Sequence, residues 1–286
     1  MTRCAALVAV IALFVACARA EQNRPPSSSW PRGGARIVTL VPSFADDIAA
    51  IGATGQLVGV SAFTDAPGAA ALPRVADATG INAEAVALLR PTIVLGIPAQ
   101  ARFVQVLRRA GIRVALLSDD TYGEIFSNLR RMGELTGKRR EADATIARLR
   151  RRTEAVRAQS LRLRYHPSVF VVLGAAPIWT AGTQSYISAL IALAGGRNGA
   201  SDLQAPYAEY SAEALLRQQP DMLIADPAAN VQAWFGREPW RSLRAVRLHR
   251  VYALNPDTIE RPGPRYADGL EWLFARVAHV AGSSAR

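Results

Sequence analysis

The sequence predicts two α/β lobes with mainly parallel central sheets, joined by one long backbone helix. Short apolar runs alternate with helix-patterned stretches from Arg36 to the C-terminus. The stretch from Lys138 to Arg164 carries a single apolar stripe and neither Gly nor Pro. One helix–strand unit occurs twice, at a constant offset of 129 residues. Strands alternating with helices bury their apolar faces when helices cover both sides of a parallel sheet. A chain of 286 residues that is 50% hydrophobic can fill two medium cores.

The elements follow in order. In residues 36–137, Ile37 to Val41, Leu57 to Val60, Ile93 to Leu95 and Val114 to Leu117 read as strands, with helices at Ala45 to Ile51, Ala83 to Leu89, Phe103 to Arg109 and Tyr122 to Leu135. In residues 138–164, Ala142, Ile146, Leu149, Thr153, Val156, Ser160 and Leu163 recur at spacings of four and three, and Pro167 follows, so one helix of about 40 Å is expected. In residues 165–286 the alternation resumes: strands at Val169 to Leu173, Met222 to Ala225 and Val251 to Leu254, and helices at Tyr186 to Ala194, Ala212 to Gln218 and Pro264 to Val280. A ligand of such a protein belongs in the crevice between lobes, near the carboxyl ends of the strands.

The first 35 residues stand apart. Arg3, the apolar run Ala5 to Ala16 and the small-x-small triplet Ala18-Arg19-Ala20 match a secretory signal cleaved after Ala20, which predicts a periplasmic protein. Phe14-Val15-Ala16-Cys17 offers a second processing site that would leave Cys17 as a lipid anchor. The run falls short of the roughly 20 residues of a membrane-spanning helix. Residues 21–35 read as a Pro/Ser/Gly-rich linker. Both cysteines, Cys4 and Cys17, lie in the leader, so the body has no disulfide and depends on packing.

Net charge is +11, and loss of Arg3 and Arg19 with the leader leaves +9. The excess sits in residues 130–164, where twelve bases face only Glu134, Glu141, Asp143 and Glu154. Export and confinement to one helix favour a solvated face over a nucleic-acid stripe, and an acidic membrane surface is the less remote partner.

The repeat pairs NAEAVALLRPTIVLGI (82–97) with SAEALLRQQPDMLIAD (211–226). Asn82 and Ser211 cap, Pro91 and Pro220 end the helix, and a buried strand follows. Glu84 and Glu213 occupy matching first-turn positions, where a carboxylate either complements the helix dipole or offers a docking charge on each lobe.

Enzyme signatures are missing: there is no Gly-x-Ser-x-Gly, His-Glu-x-x-His or Cys-x-x-Cys. Gly133 to Arg139 is one residue short of a phosphate loop and lies at a helix end. His166, His249 and His279 lack ligand spacing, so no metal site is expected. Asp46-Asp47 and Asp119-Asp120 read as solvated or capping acids.

Residues 36–67 (RIVTLVPSFADDIAAIGATGQLVGVSAFTDAP), the Ala-Glu-Ala units and 255–273 (NPDTIERPGPRYADGLEWL) resemble the substrate-binding proteins of cobalamin and iron-siderophore ABC importers, and most of all their cobalamin branch. The resemblance covers nearly the whole body. It implies the helical-backbone type of binding protein, a monomer that is no enzyme, has no cofactor of its own and hands a corrinoid or other metal chelate to a permease dimer. It places Glu84 and Glu213 on permease arginines and Phe63, Trp179 and Tyr207 against the ligand; aromatic faces bury area with little rotamer entropy. Ala78 and Ile97 stand where the cobalamin branch has two further tryptophans.

Asp257 to Arg265 matches the loop where the family lines its pocket, which places Asp257 and Arg261 at the ligand; Arg261 either meets a ligand oxygen or pairs internally with Asp257 or Glu260. Ser43 and Phe44 are expected at the cleft mouth, unless Ser43 caps the helix after it. Trp234 and Trp240 are expected to pack the second lobe. Iron-siderophore or haem is the alternative cargo, with Tyr207 or Tyr210 as an axial ligand. An exported enzyme or a sensor using the same cleft is the alternative class.

Overall fold

Five parallel strands build the sheet of the first lobe: β1 (Ile37–Thr39), β2 (Leu57–Ser61), β3 (Arg74–Ala76), β4 (Ile93–Gly96) and β5 (Val114–Leu116), in the order β3-β2-β1-β4-β5. β1 and β4 are buried at every position, as strands covered on both faces must be. Val38, Leu40, Val75, Val86, Val94 and Leu107 form the core of this lobe. The computed structural model describes residues 34–284, within one compact unit, Arg32–Arg286. The leader, Cys4, Cys17 and most of the linker lie outside the described residues.

The second lobe holds two sheets. One is parallel, β12-β11-β6-β9, from β6 (Ser168–Val172), β9 (Arg197–Asn198), β11 (Met222–Ala225) and β12 (Val251–Ala253). The other is antiparallel, β10-β8-β7, from β7 (Gly174–Ala175), β8 (Ile178–Ala181) and β10 (Tyr207–Glu209). Phe170, Val172, Leu215, Leu223 and Leu243 sit in its core. Trp234 and Trp240 stack at 4.7 Å between ring centroids and pack on that core.

The linking helix spans Arg139–Ser160, 22 residues or about 33 Å. Its stripe of Ala142, Ile146, Leu149, Thr153, Val156 and Ser160 is buried as the spacing predicts. It ends four residues before Arg164. Arg162 and Leu163 bond back three residues to Gln159 and Ser160, a tighter turn than the α-helix, and the Leu163 side chain packs beside Gly195.

Two contacts fix the helix to the closing helix, Tyr266–Ser284. Arg152 reaches Asp268 at 2.6 Å and Glu271 at 2.8 Å. The hydroxyls of Tyr122, Thr153 and Tyr266 form a triangle with sides of 2.8–3.1 Å, joining the first lobe, the linking helix and the second lobe.

Candidate ligand cleft

Where strand order reverses in a parallel sheet, the loops beyond the carboxyl ends part and leave a crevice. In the first lobe this happens between β1 and β4. Gln100 spans the gap: its Nε2 donates to the Leu40 carbonyl at 3.0 Å and its Oε1 accepts from the Ile97 N–H at 3.1 Å. Gly96 makes room for it, since a Cβ there would stand 2.6 Å from Gln100 Oε1. In the second lobe the matching loops follow β6 and β11. The two crevices meet: the Tyr186 N–H donates to the Asp120 carbonyl at 2.7 Å, and Gly263 lies over Ser43, 3.5 Å from a Gly263 Cβ to the Ser43 carbonyl oxygen.

Phe63 follows β2 on a loop held by Arg74, which donates to the carbonyls of Ser61 (3.2 Å) and Thr64 (2.7 Å). Trp179 and Tyr207 share one face of the antiparallel sheet, because Trp179 pairs with Glu209 and Ala181 with Tyr207. Phe63 is 67% exposed and Trp179 44%, and they are the two aromatics among the exposed large apolar side chains of the described residues. Ile97 is half-buried at the first-lobe crevice; Ala78 is exposed in the Asp77–Gly80 turn beyond β3. That turn, held by Asp77, borders a depression of about 460 Å³.

Several expectations are corrected. Ser43 and Phe44 are not at the mouth: they are 3% and 0% exposed, Ser43 at the cleft floor under Gly263 and Phe44 in the core. Ser43 is no cap either. Pro42 opens the helix Pro42–Ala50 and the N-cap is Val41, so Ser43 stands inside the first turn. Its hydroxyl donates to Asp119 Oδ2 at 3.4 Å. Tyr210 has its phenol committed to Asp202 (2.8 Å) and Gln218 (2.6 Å), packed on Phe170 in the core, so it is no axial ligand.

Arg261 pairs internally, with Asp257 at 2.7 Å and not with Glu260. It also crosses to the first lobe, bonding Asp65 at 2.5 Å and the Phe63 carbonyl at 2.9 Å. Arg265 joins Asp65 (2.8 Å) to Asp46 (2.9 Å). Burial opposes the charge of Asp65, but hydrogen bonds and charge from Arg265 and Arg261 outweigh it and hold its pKa below the ordinary value.

The acid pairs are the residues that sequence reasoning missed. Asp46 and Asp47 are 5% and 1% exposed. Burial pushes Asp46 up to about 6 against the pull of Arg265 and Arg261, and pushes Asp47 well above the carboxylate range, with Asp46 and Asp119 adding to it. Asp119, half-buried just beyond β5, is raised to about 7 by burial and then by the charge of Asp120. From the second lobe, Glu260 is raised to about 7 by burial and then by Asp226. Burial, and then the charges of Asp119, Asp120 and Glu260, raise the Tyr207 phenol in turn, so acids of both lobes act on it.

Glu84 and Glu213 are both exposed in helix first turns capped by Asn82 and Ser211. Arg90 and Gln219, 129 residues apart, both take left-handed φ angles (45° and 48°) before the terminating proline. The Glu213 carboxylate accepts from the Ser211 hydroxyl at 2.6 Å, which holds its pKa below the ordinary value.

Two α/β lobes whose loops beyond the carboxyl ends of the strands meet in one crevice are the architecture of a two-lobed binding protein. The chain belongs to the Periplasmic binding protein family, whose sequence model matches residues 37–258. It is a family of binding proteins for transport, not of enzymes.

An ABC transporter substrate-binding lipoprotein of Bacillus subtilis, itself uncharacterized, is 27% identical over 250 residues, 85% of this chain and 79% of that one. The periplasmic vitamin B12 binding protein BtuF of Vibrio cholerae is 28% identical with a TM-score of 0.75, covering 87% of this chain and 99% of that one. A periplasmic haem binding protein of Pseudomonas aeruginosa is 29% identical with a TM-score of 0.74, covering 85% and 92%. Among the described residues no group of three or more His, Cys, Asp or Glu side chains is placed to hold a metal ion, and no helix is long and apolar enough to cross a membrane.

Proposed function

We propose that the chain captures a corrinoid between its lobes and delivers it to the permease dimer of an ABC importer, on which Glu84 and Glu213 dock, one from each lobe. The observation that carries the ligand assignment is an exposed aromatic on each lobe, Phe63 on the first and Trp179, on the same sheet face as Tyr207, on the second. Aromatic faces suit a large planar chelate. Arg261 then acts by positioning Phe63, whose carbonyl it holds, with Asp257 fixing the guanidinium. Export from the cytoplasm belongs to the same reading, either with cleavage after Ala20 or, alternatively, with processing before Cys17 that leaves a lipid there.

Haem is the second reading, supported by the haem-binding relative and by the Tyr207 phenol, which shares a sheet face with Trp179. Tyr207 weighs against it: a tyrosine binds ferric haem as phenolate, and burial with the charge of three acids opposes that form. Absorbance and thermal-shift titration with cobalamin, cobinamide, haem and a ferric siderophore tests the proposal. Saturable corrinoid binding, raising stability by about 2.7 kcal/mol at one hundred times Kd, is expected. Binding of haem or siderophore alone would change the cargo and keep the transport role.

A further inference from the structure

The charges of the cleft are not evenly compensated. Arg261 and Arg265, the arginines that reach across to the first lobe, are bonded to Asp257, Asp65 and Asp46. Asp119 from the first lobe and Glu260 from the second are both near enough for their charge to act on Tyr207; Asp119 accepts from Ser43, and Asp47 lies one helical turn beyond Ser43 on the same face. The charged groups acting on these three carboxyls are Asp46, Asp119, Asp120, Glu124 and Asp226, all of them acids. Asp47 Oδ1 and Glu260 Oε1 are buried without a hydrogen-bond partner among the described residues, and Asp47 is 99% buried. Buried carboxyls without partners are costly, and a ligand that supplies donors or positive charge removes the cost. A ligand edge bearing carboxylates would meet like charge there, with the guanidiniums of Arg261 and Arg265 already bonded to acids.

We infer that Asp119 and Glu260, with the buried and partnerless carboxyl of Asp47 behind them, make the cleft floor a charge filter, which accepts planar chelates edged with amides or cations and rejects the same rings edged with carboxylates. This rests on the reading of the cleft as the ligand site, and it narrows the cargo to amide-bearing macrocycles. The filter strengthens as pH rises from 6 to 8, because Asp119 and Glu260 ionise across that window while Asp46 stays paired with Arg265. Asp120, Glu124 and Asp226 are the further charges facing them, with the Tyr207 and Tyr186 phenols neutral throughout.

The test uses two ring pairs matched except for their edges: cobinamide against cobyrinic acid, and haem bisamide against haem. Binding to the full body is measured by absorbance titration at pH 6 and pH 8, with the wild type and with an Asp119→Asn, Glu260→Gln variant. The amide form is expected to bind at least tenfold more tightly at pH 8. That ratio should fall at least threefold at pH 6 and at least fivefold in the variant, chiefly through tighter binding of the acid form.

An amide preference in the haem pair alone would sustain the filter while retiring the corrinoid reading. Equal or tighter binding of the acid forms overturns the filter, as does a preference that neither pH nor the variant changes. Binding of neither pair overturns both the filter and the reading beneath it.

Discussion

The two lobes are built on one plan and finished differently. Around the central strand the order is β2-β1-β4-β5 in the first lobe and β9-β6-β11-β12 in the second. The repeated unit keeps register through helix, left-handed residue, proline and strand: β4 and β11 are 129 residues apart at both ends. Yet Ile97, which follows β4, has Asp226 as its counterpart after β11, so one crevice opens on an apolar residue and the other on an acid. The second lobe also adds the antiparallel strands that carry Trp179 and Tyr207, where the first offers Phe63 from a loop. The common plan therefore supplies symmetric points on the outside, and the departures from it shape the inside.

If the outside is symmetric in function, Glu84→Arg and Glu213→Arg should each lower import of labelled cobalamin more than tenfold while leaving the Kd of the isolated protein unchanged. Both residues are exposed, and charges that meet a partner at an interface set register more than fold stability. Loss confined to one lobe would break the equivalence. The inside is expected to be unequal. Trp179 stands on a strand paired on both sides, whereas Phe63 stands on a loop. Trp179→Ala should weaken corrinoid binding by about 2 kcal/mol, roughly thirtyfold, and Phe63→Ala by about half that energy, measured by fluorescence titration.

The same division decides what was legible in the sequence. The linking stripe and the repeat were readable because periodic burial leaves a periodic pattern, and all six residues from Ala142 to Ser160 that it marks within the helix are buried. The antiparallel sheet was not, because strands of two to four residues carry too little alternation to be seen, and β3 is equally short. Ser43 was misplaced because the apolar pattern starts at Ala45, three residues after Pro42 opens the helix; proline at a first helical position was the available signal. The buried acids gave no local sign at all. Whether an Asp after a strand is solvated depends on what the other lobe brings over it, as Gly263 is brought over Ser43.

Those acids give the comparison a pH axis. Asp119 and Glu260 have folded pKa values of about 7, above their unfolded values, so the native state holds protons that the unfolded state has lost. Stability from these groups is full below about pH 4 and declines as pH rises to about 7. Asp119→Asn and Glu260→Gln should leave stability nearly unchanged at pH 4 and raise it at pH 8, each by on the order of 1 kcal/mol after allowing for solvent screening, seen as a higher Tm at pH 8 alone. Asp65 has the opposite sign. Its folded pKa is depressed, so its contribution is present above the unfolded value and is lost as pH falls through the folded one. Asp65→Asn should therefore lower Tm at pH 7 and have little effect at pH 2.

The smallest expected effect tests how far the repeat is equivalent in its backbone. Arg90 and Gln219 both sit in the left-handed region, which glycine occupies without the Cβ penalty. Arg90 is exposed, and its side chain makes no hydrogen bond or ion pair among the described residues. The Gln219 side chain accepts from the Arg244 N–H at 2.7 Å and donates to the Leu216 carbonyl at 2.8 Å, tying its helix end to the segment before β12. Glycine at the first position relieves strain and removes nothing; at the second it relieves the same strain and removes two hydrogen bonds. Arg90→Gly is thus expected to stabilise by about 1 kcal/mol and Gln219→Gly to be neutral or destabilising, by denaturant titration. Equal stabilisation by both would mean that the Gln219 bonds contribute nothing, and that the lobes differ only where they face each other.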